Sequence, residues 1–373
     1  PEWQRLAQSV KVLYDKCKED SKGVSLMKMT IRKIAELAGV SRSAVDKVIH
    51  GRAGVRPEIR ERVRQIIVET GYVPIHERKA AEPEAKREQT IGIIIPSLSN
   101  PYFRSLKCGM DSLAAAMPDL HLEYRYCEAS NADGILSAVE QLERLDIALY
   151  LIRGIRSDRL RDKLNAMEKP VIFIDSVVPE ADRLCFIGED CYQSGRIAAS
   201  LLAKTVQPNG KIAVIGGSPH VSGHKLRVEG FMDAIRSRFP GMQVVEQIYS
   251  QDQGVIAYKK ACTLLDQHPD LCGICNLAGH AGEVGQAILD RHRQSSVKLV
   301  CYNITRDIAA LIEKGVVEFS INIAPYRQGR LCIEVASQYL FNGIKPPKKF
   351  IQTQVSVVLD ENMTALLEED LEP

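Results

Sequence analysis

From Thr90 onward the chain repeats one pattern, a short run of consecutive aliphatic residues followed by a longer amphipathic stretch. The runs are IGIIIP, LEYRYCEA, ALYLIRG, VIFID, CFIGED, KIAVIGG, VVEQIYS, GICNLA, KLVCYN and FSINIAP. A strand wetted on one face alternates apolar with polar residues. Runs that mostly lack this alternation predict strands covered on both faces, as in parallel sheets with helices above and below. Ten runs are more than one sheet commonly holds, so two doubly wound sheets are expected over residues 90–360. In such folds the functional loops lie beyond the carboxyl ends of the strands. Polar residues fall there: Asn100, Arg153, Asp175, Asn276 and Asn303.

Residues 27–73 follow a different period. Thr30 is placed to cap a first helix, IRKIAELA, with Ile31, Ile34, Ala35 and Ala38 on one side. Gly39 supplies a turn, and Ser41 caps a second helix, RSAVDKVIH. Pro57 opens a third, PEIRERVRQIIVET, which stops at Gly71. Ile34, Leu37, Val40, Val45, Val48, Ile59, Val63 and Ile66 are the expected core of this small module. Residues 27–72 hold ten Lys/Arg against five Asp/Glu, although the whole chain has a net charge of only +2. A basic module on a mildly acidic body points to a polyanionic partner.

The flanking pieces are plainer. Residues 1–26 read as an extension with a loosely attached amphipathic helix, 74–89 as a polar linker or hinge, and 361–373 as an acidic tail without heptads. Because the first residues are charged throughout and no apolar run reaches membrane-spanning length, neither a secretory signal nor a membrane span is expected. Ten cysteines at irregular spacing indicate reduced thiols and a cytoplasmic location.

The segment AELAGVSRSAVDKVIHG, residues 35–51, has the turn chemistry of a helix-turn-helix whose second helix starts with a basic, capped turn. Such a helix fits the major groove of DNA, where Arg pairs with guanine and Ser or Lys reach bases and phosphates. The whole string MTIRKIAELAGVSRSAVDKVIHGRAGVRPEIRERVRQIIVETGYVP resembles the DNA-binding headpiece of the lactose-repressor (LacI) family. The α/β body downstream resembles that family's sugar-binding-protein-like core. The implied fold is a small all-α headpiece joined to a core of two doubly wound parallel-sheet subdomains, like a periplasmic binding protein.

Carried over by this resemblance, Arg42 and Ser43 take the base-reading positions, with Lys47 one turn further on. Thr30, Ser41, His50 and Arg56 match positions at or near phosphates. Asp46 stands where a serine is common. Ala81 stands where the family's hinge usually carries a leucine that wedges into the minor groove, so a weaker central bend of the operator is expected.

The resemblance also assigns effector residues. SNPYF, residues 99–103, resembles a signature of ribose-type binding proteins and offers Asn100, Tyr102 and Phe103, an amide and two rings suited to a sugar's hydroxyl and C–H surfaces. Arg153, Arg227 of LRVEGF, Asn276 and Asn303 complete the set. Asn303 replaces a common acidic residue, and Ile323 a common glutamine. Two arginines suit a phosphate or carboxylate as well, so sugar, polyol, sugar phosphate and sugar acid all stay open.

No metal or cofactor is expected. Cys272 and Cys275 lack a second pair, His220 and His224 read as part of a loop, and no GxGxxG or GxSxG motif follows a strand. An enzyme therefore has no sequence support. The expected function is a homodimeric, sequence-specific regulator, a repressor, that binds double-stranded operator DNA under control of a small polar effector. A transport-associated sugar-binding module and a regulator controlled by a protein partner are the alternatives.

Overall fold

The structure, a computed structural model, describes residues 31–49, 55–70, 88–128 and 131–371. The expected extension (1–26), Thr30, His50 and hinge residues 74–87 lie outside these. The described residues fall into two units, 31–70 and 88–371.

The first unit has three helices: α1 (Ile31–Ala38), α2 (Arg42–Ile49) and α3 (Pro57–Thr70). Gly39, at φ +65°, ends α1 in the left-handed region, and Val40 N donates to Ala35 O at 3.0 Å. Only a residue without Cβ takes this turn at no steric cost. Ser41 Oγ then accepts from Ala44 N at 3.2 Å, capping α2. Ile34, Ala35, Ala38, Val45, Val48 and Val63 are buried together. Leu37 departs from the expected core and is 53% exposed. The stripe formed by Ile34, Ala35 and Ala38 is narrow, and Leu37 sits off its edge.

The second unit has two lobes, each built on a six-stranded sheet. The first lobe contains β1 (Gln89–Pro96), α4 (Pro101–Ala114), β2 (Leu120–Cys127), α5 (Ala132–Leu142), β3 (Ile147–Ile152), α6 (Asp158–Asn165), β4 (Val171–Ile174) and β5 (Cys185–Gly188). The chain then enters the second lobe through α7 (Cys191–Thr205), β6 (Lys211–Gly216), α8 (Ser222–Arg238), β7 (Gln243–Tyr249), α9 (Gly254–Gln267), β8 (Leu271–Asn276), α10 (Ala281–Asp290), β9 (Lys298–Tyr302), α11 (Arg306–Glu313) and β10 (Val317–Asn322). Helix α12 (Pro325–Asn342) and β11 (Phe350–Gln352) return to the first lobe, and β12 (Ser356–Val358) and α13 (Asp360–Leu371) to the second.

The sheet orders are β11-β5-β4-β3-β1-β2 and β12-β10-β9-β8-β6-β7. The apolar runs occupy the ten longer strands, and β1, β4 and β8 are buried nearly end to end. Two short strands, β11 and β12, lie beyond what the runs predict. Strand β12 joins β10 antiparallel, so the second sheet is parallel except at that edge. Residues 361–371, read as part of an acidic tail, belong to α13, whose Met363 is buried against the second lobe with Leu366 and Leu367 packed beside it. Their i, i+3, i+4 spacing gives the helix one apolar face.

Two helix pairs frame the lobes at close range. A Cβ on Gly109 of α4 would strike the Tyr326 carbonyl on α12, and one on Gly195 of α7 the Arg227 carbonyl on α8. The second contact holds the helix that carries Arg227.

Candidate functional site

Strand carboxyl ends of both lobes converge on one cleft. Its wall is formed by Asn100, Tyr102, Phe103 and Asp175 from the first lobe and His224, Arg227, Asp252, Ala278, Gly279, Asn303 and Ile323 from the second. Asn100 caps α4 by accepting from Tyr102 N at 3.0 Å. Tyr102 and Phe103, in the first turn of that helix, line the cleft, and their rings meet edge-on at 4.8 Å. The Tyr102 hydroxyl donates to Gln328 Oε1 at 2.6 Å, so the cleft receives its ring.

Five of the seven expected effector residues line the cleft: Asn100, Tyr102, Phe103, Arg227 and Asn303. The other two stand behind it. Arg153 is buried and its Nε donates to Asp175 Oδ2 at 3.3 Å. Asn276 donates through Nδ2 to the Ala278 and Gly279 carbonyls, both at 3.0 Å, shaping the loop that closes the cleft.

His224, Asp252 and Glu189 are not marked as site residues by the sequence, and Asp175 is marked only as a residue at a strand end. His224 lies in the first turn of α8, which begins at Ser222, so this histidine is not in a loop. It stands three residues before Arg227, hence on the same helical face. Its Nδ1 accepts from Ser218 N at 3.0 Å, and burial lowers its pKa to about 4. Glu189, just past β5, grips Arg227, accepting from Nε at 2.7 Å and also from Nη2. Arg227 Nη1 reaches the Leu277 carbonyl at 3.3 Å, and the guanidinium lies 4.4 Å from the Tyr302 ring centre. The Glu189 carboxylate beside it holds the guanidinium pKa well above its ordinary value against the pull of burial.

Among the described residues, several buried oxygens around the cleft have no hydrogen-bond partner: Asp252 Oδ1, Asn303 Oδ1, Asn276 Oδ1 and Glu189 Oε2. The lobes meet through Arg156 N to His220 O (3.0 Å), Ser222 Oγ to Val177 O (3.2 Å) and Gly223 N to Ser176 Oγ (3.4 Å). With the lobes so joined, the free volume in the cleft is about 20 Å³, room for about one water. A ligand with several hydroxyls displaces several waters of about 30 Å³ each, so its entry requires the lobes to part.

In the headpiece unit, α2 presents Arg42 and Ser43 exposed at its start and Lys47 half-exposed one turn on. Val45 and Val48 face the core behind them. Ser41 and Arg56 are exposed as well, and Asp46 shares the Arg42 side at i+4. Among the described residues no group of His, Cys, Asp and Glu is arranged to hold a metal, and no helix is long and apolar enough to cross a membrane.

Residues 91–344 match the periplasmic binding protein domain, and residues 30–74 match the bacterial regulatory proteins of the lacI family. The chain belongs to the periplasmic binding protein domain family and carries a lacI-family DNA-binding domain ahead of it. Catabolite control protein A of Staphylococcus xylosus is 30% identical to it over 153 residues, 39% of this chain and 44% of that protein. The homologue of the same name from Staphylococcus epidermidis is 26% identical over 56% of this chain and 62% of its own length. The matches thus span about half of these two relatives. The ribose import binding protein of Bacillus subtilis is 23% identical over 68% of this chain and 83% of its own. Among solved structures, a carbohydrate transporter solute binding protein from Agrobacterium radiobacter in complex with D-arabinose superposes with a TM-score of 0.69. It is 22% identical, over 75% of this chain and 99% of that one. The likeness confirms the two-lobed fold.

Proposed function

We propose that this chain is a homodimeric transcriptional repressor acting in the bacterial cytoplasm. Two headpieces read an inverted repeat, and a small polar ligand of the sugar, polyol or sugar-phosphate kind, held between the core lobes, sets operator affinity. The observation that carries this is α2. An arginine, a serine and a lysine stand on the solvent side of a capped helix whose other side is fixed in a core.

Arg42 and Ser43 are the base-reading groups, Lys47 supports them, and Ser41 and Arg56 anchor phosphates; Thr30 and His50 are proposed to join them. Asn100, Tyr102, Phe103, Arg227 and Asn303 contact the effector, while Arg153 and Asn276 position the walls. The protein works by binding, not by catalysis. Control requires the effector to prefer one lobe arrangement over another, and the lobe-to-lobe hydrogen bonds are contacts that parting the lobes would break. A transport-associated binding module accounts for the core and leaves the basic helices without a role.

The test is to select an operator from random DNA and measure affinity against salt. Wild type should lose about a thousandfold or more between low and moderate ionic strength. Arg42→Ala should lower the preference for operator over random DNA by roughly tenfold to a hundredfold. A flat salt response, or unchanged selectivity in Arg42→Ala combined with Lys47→Ala, contradicts the proposal.

A further inference from the structure

The charges and lone pairs of the cleft decide which ligand chemistry it can take, given that it is the effector site. The two arginines, taken alone, invite a phosphate or a carboxylate. In the structure each cation already has a carboxylate partner. Arg153 is paired with Asp175, and Arg227 is held by Glu189 through two of its nitrogens. Glu189 is itself only 5% exposed, so an anion that drew Arg227 away would leave a carboxylate buried without its counter-charge.

The balance runs further toward negative. Asp175, Glu189 and Asp252 stand against two guanidiniums, and the nearby His280 is engaged by Glu283 at 3.1 Å. His224 adds no charge at neutral pH, because burial keeps its ring unprotonated. Its Nδ1 accepts from the backbone, so the single ring proton resides on Nε2, and the histidine is a donor toward any oxygen in the cleft.

Two cleft-lining acceptors remain unmet, Asp252 Oδ1 and Asn303 Oδ1, one of them charged. A buried acceptor is satisfied only by an O–H or N–H, which phosphate and carboxylate groups do not offer at neutral pH. The Phe103 ring and Ile323 supply an apolar wall against which C–H groups pack.

We infer that the cleft selects an uncharged polyhydroxylated ligand, a neutral sugar or polyol. Its hydroxyls donate to Asp252 and Asn303 and accept from His224, and the carboxylates Asp175, Glu189 and Asp252 turn away the anionic group of a sugar phosphate or sugar acid. Asp252 and His224 are thus specificity-determining residues. Asp252 restores, from the loop after β7, the carboxylate that Asn303 fails to supply after β9.

The test is calorimetry and thermal shift on the full chain with three groups of probes. The neutral group is D-ribose, D-fructose, D-glucose, sorbitol and myo-inositol. The phosphate group is D-glucose 6-phosphate and D-fructose 6-phosphate, and the acid group is D-gluconate and D-glucuronate. Binding is expected within the neutral group alone, weakened about tenfold or more in Asp252→Asn and again in His224→Gln. Saturable binding of a phosphate or acid probe that competes with the neutral hit overturns the inference, as does a neutral hit that Asp252→Asn leaves unchanged. Melting curves of both unliganded variants establish that they fold. Silence from all three groups overturns the effector reading itself, a result distinct from capture of an anion.

Discussion

Arg42 and Arg227 carry the same guanidinium in opposite circumstances. Arg42 starts α2 exposed to solvent, on a helix whose shape is set by a capped turn and valines behind it. Arg227 is 5% exposed, gripped by Glu189, stacked on Tyr302 and bonded to the Leu277 carbonyl. An exposed guanidinium costs the fold little and is open to a partner from outside. A buried one must be satisfied from within before any ligand arrives, so its geometry is fixed and its removal is felt throughout the lobe.

That contrast is sharpest in stability. Glu189→Ala removes the partner of a buried cation and should cost about 3–5 kcal/mol in denaturant unfolding. Arg42→Ala, which deletes the same kind of charge from the headpiece, should stay within about 0.5 kcal/mol. Comparable losses in the two variants would break the distinction.

Acid provides a smaller probe of the same kind. The His224 imidazole ordinarily titrates at 6.5 and does so in the fold at about 4. Between these values the unfolded chain takes up a proton that the folded chain refuses. The stability tied to His224 is therefore complete above pH 6.5 and lost as the pH falls toward 4, by on the order of 3 kcal/mol. Carboxylates titrate in the same window. The informative quantity is thus the difference between wild type and His224→Gln, which should flatten the acid limb. Parallel pH profiles would show that the histidine is not buried neutral.

The two regions also differ in how far they can be read from residues alone. The headpiece is local. Gly39, Ser41, Pro57 and the apolar spacing mark its turn, caps and faces within a few positions, and Leu37, the expected core residue found exposed among the described residues, is a question of where a narrow stripe ends. In the core, strands with an unbroken aliphatic run are equally legible. Strands β11 and β12, three residues each on sheet edges, bear no such run, and α13 looks like a charged tail until Met363 is seen against the lobe. The cleft is harder because loops from two lobes build it. Asn100, Tyr102 and Phe103 sit in one short motif, but Glu189 meets Arg227 from 38 positions away, and nothing in SQDQG marks Asp252 as facing the cleft. Charge neutralisation across such distances is a property of the folded chain, which is why two arginines leave an anionic ligand open in sequence and stand beside carboxylate partners in space.

A functional link between the two regions is tested most directly by titrating operator affinity of the full chain with the neutral ligand identified by calorimetry. The ligand should change the operator dissociation constant by about fivefold or more. Asp252→Asn should shift this response to higher ligand concentration while leaving ligand-free operator binding intact. Operator affinity that stays constant while the cleft fills would contradict the link.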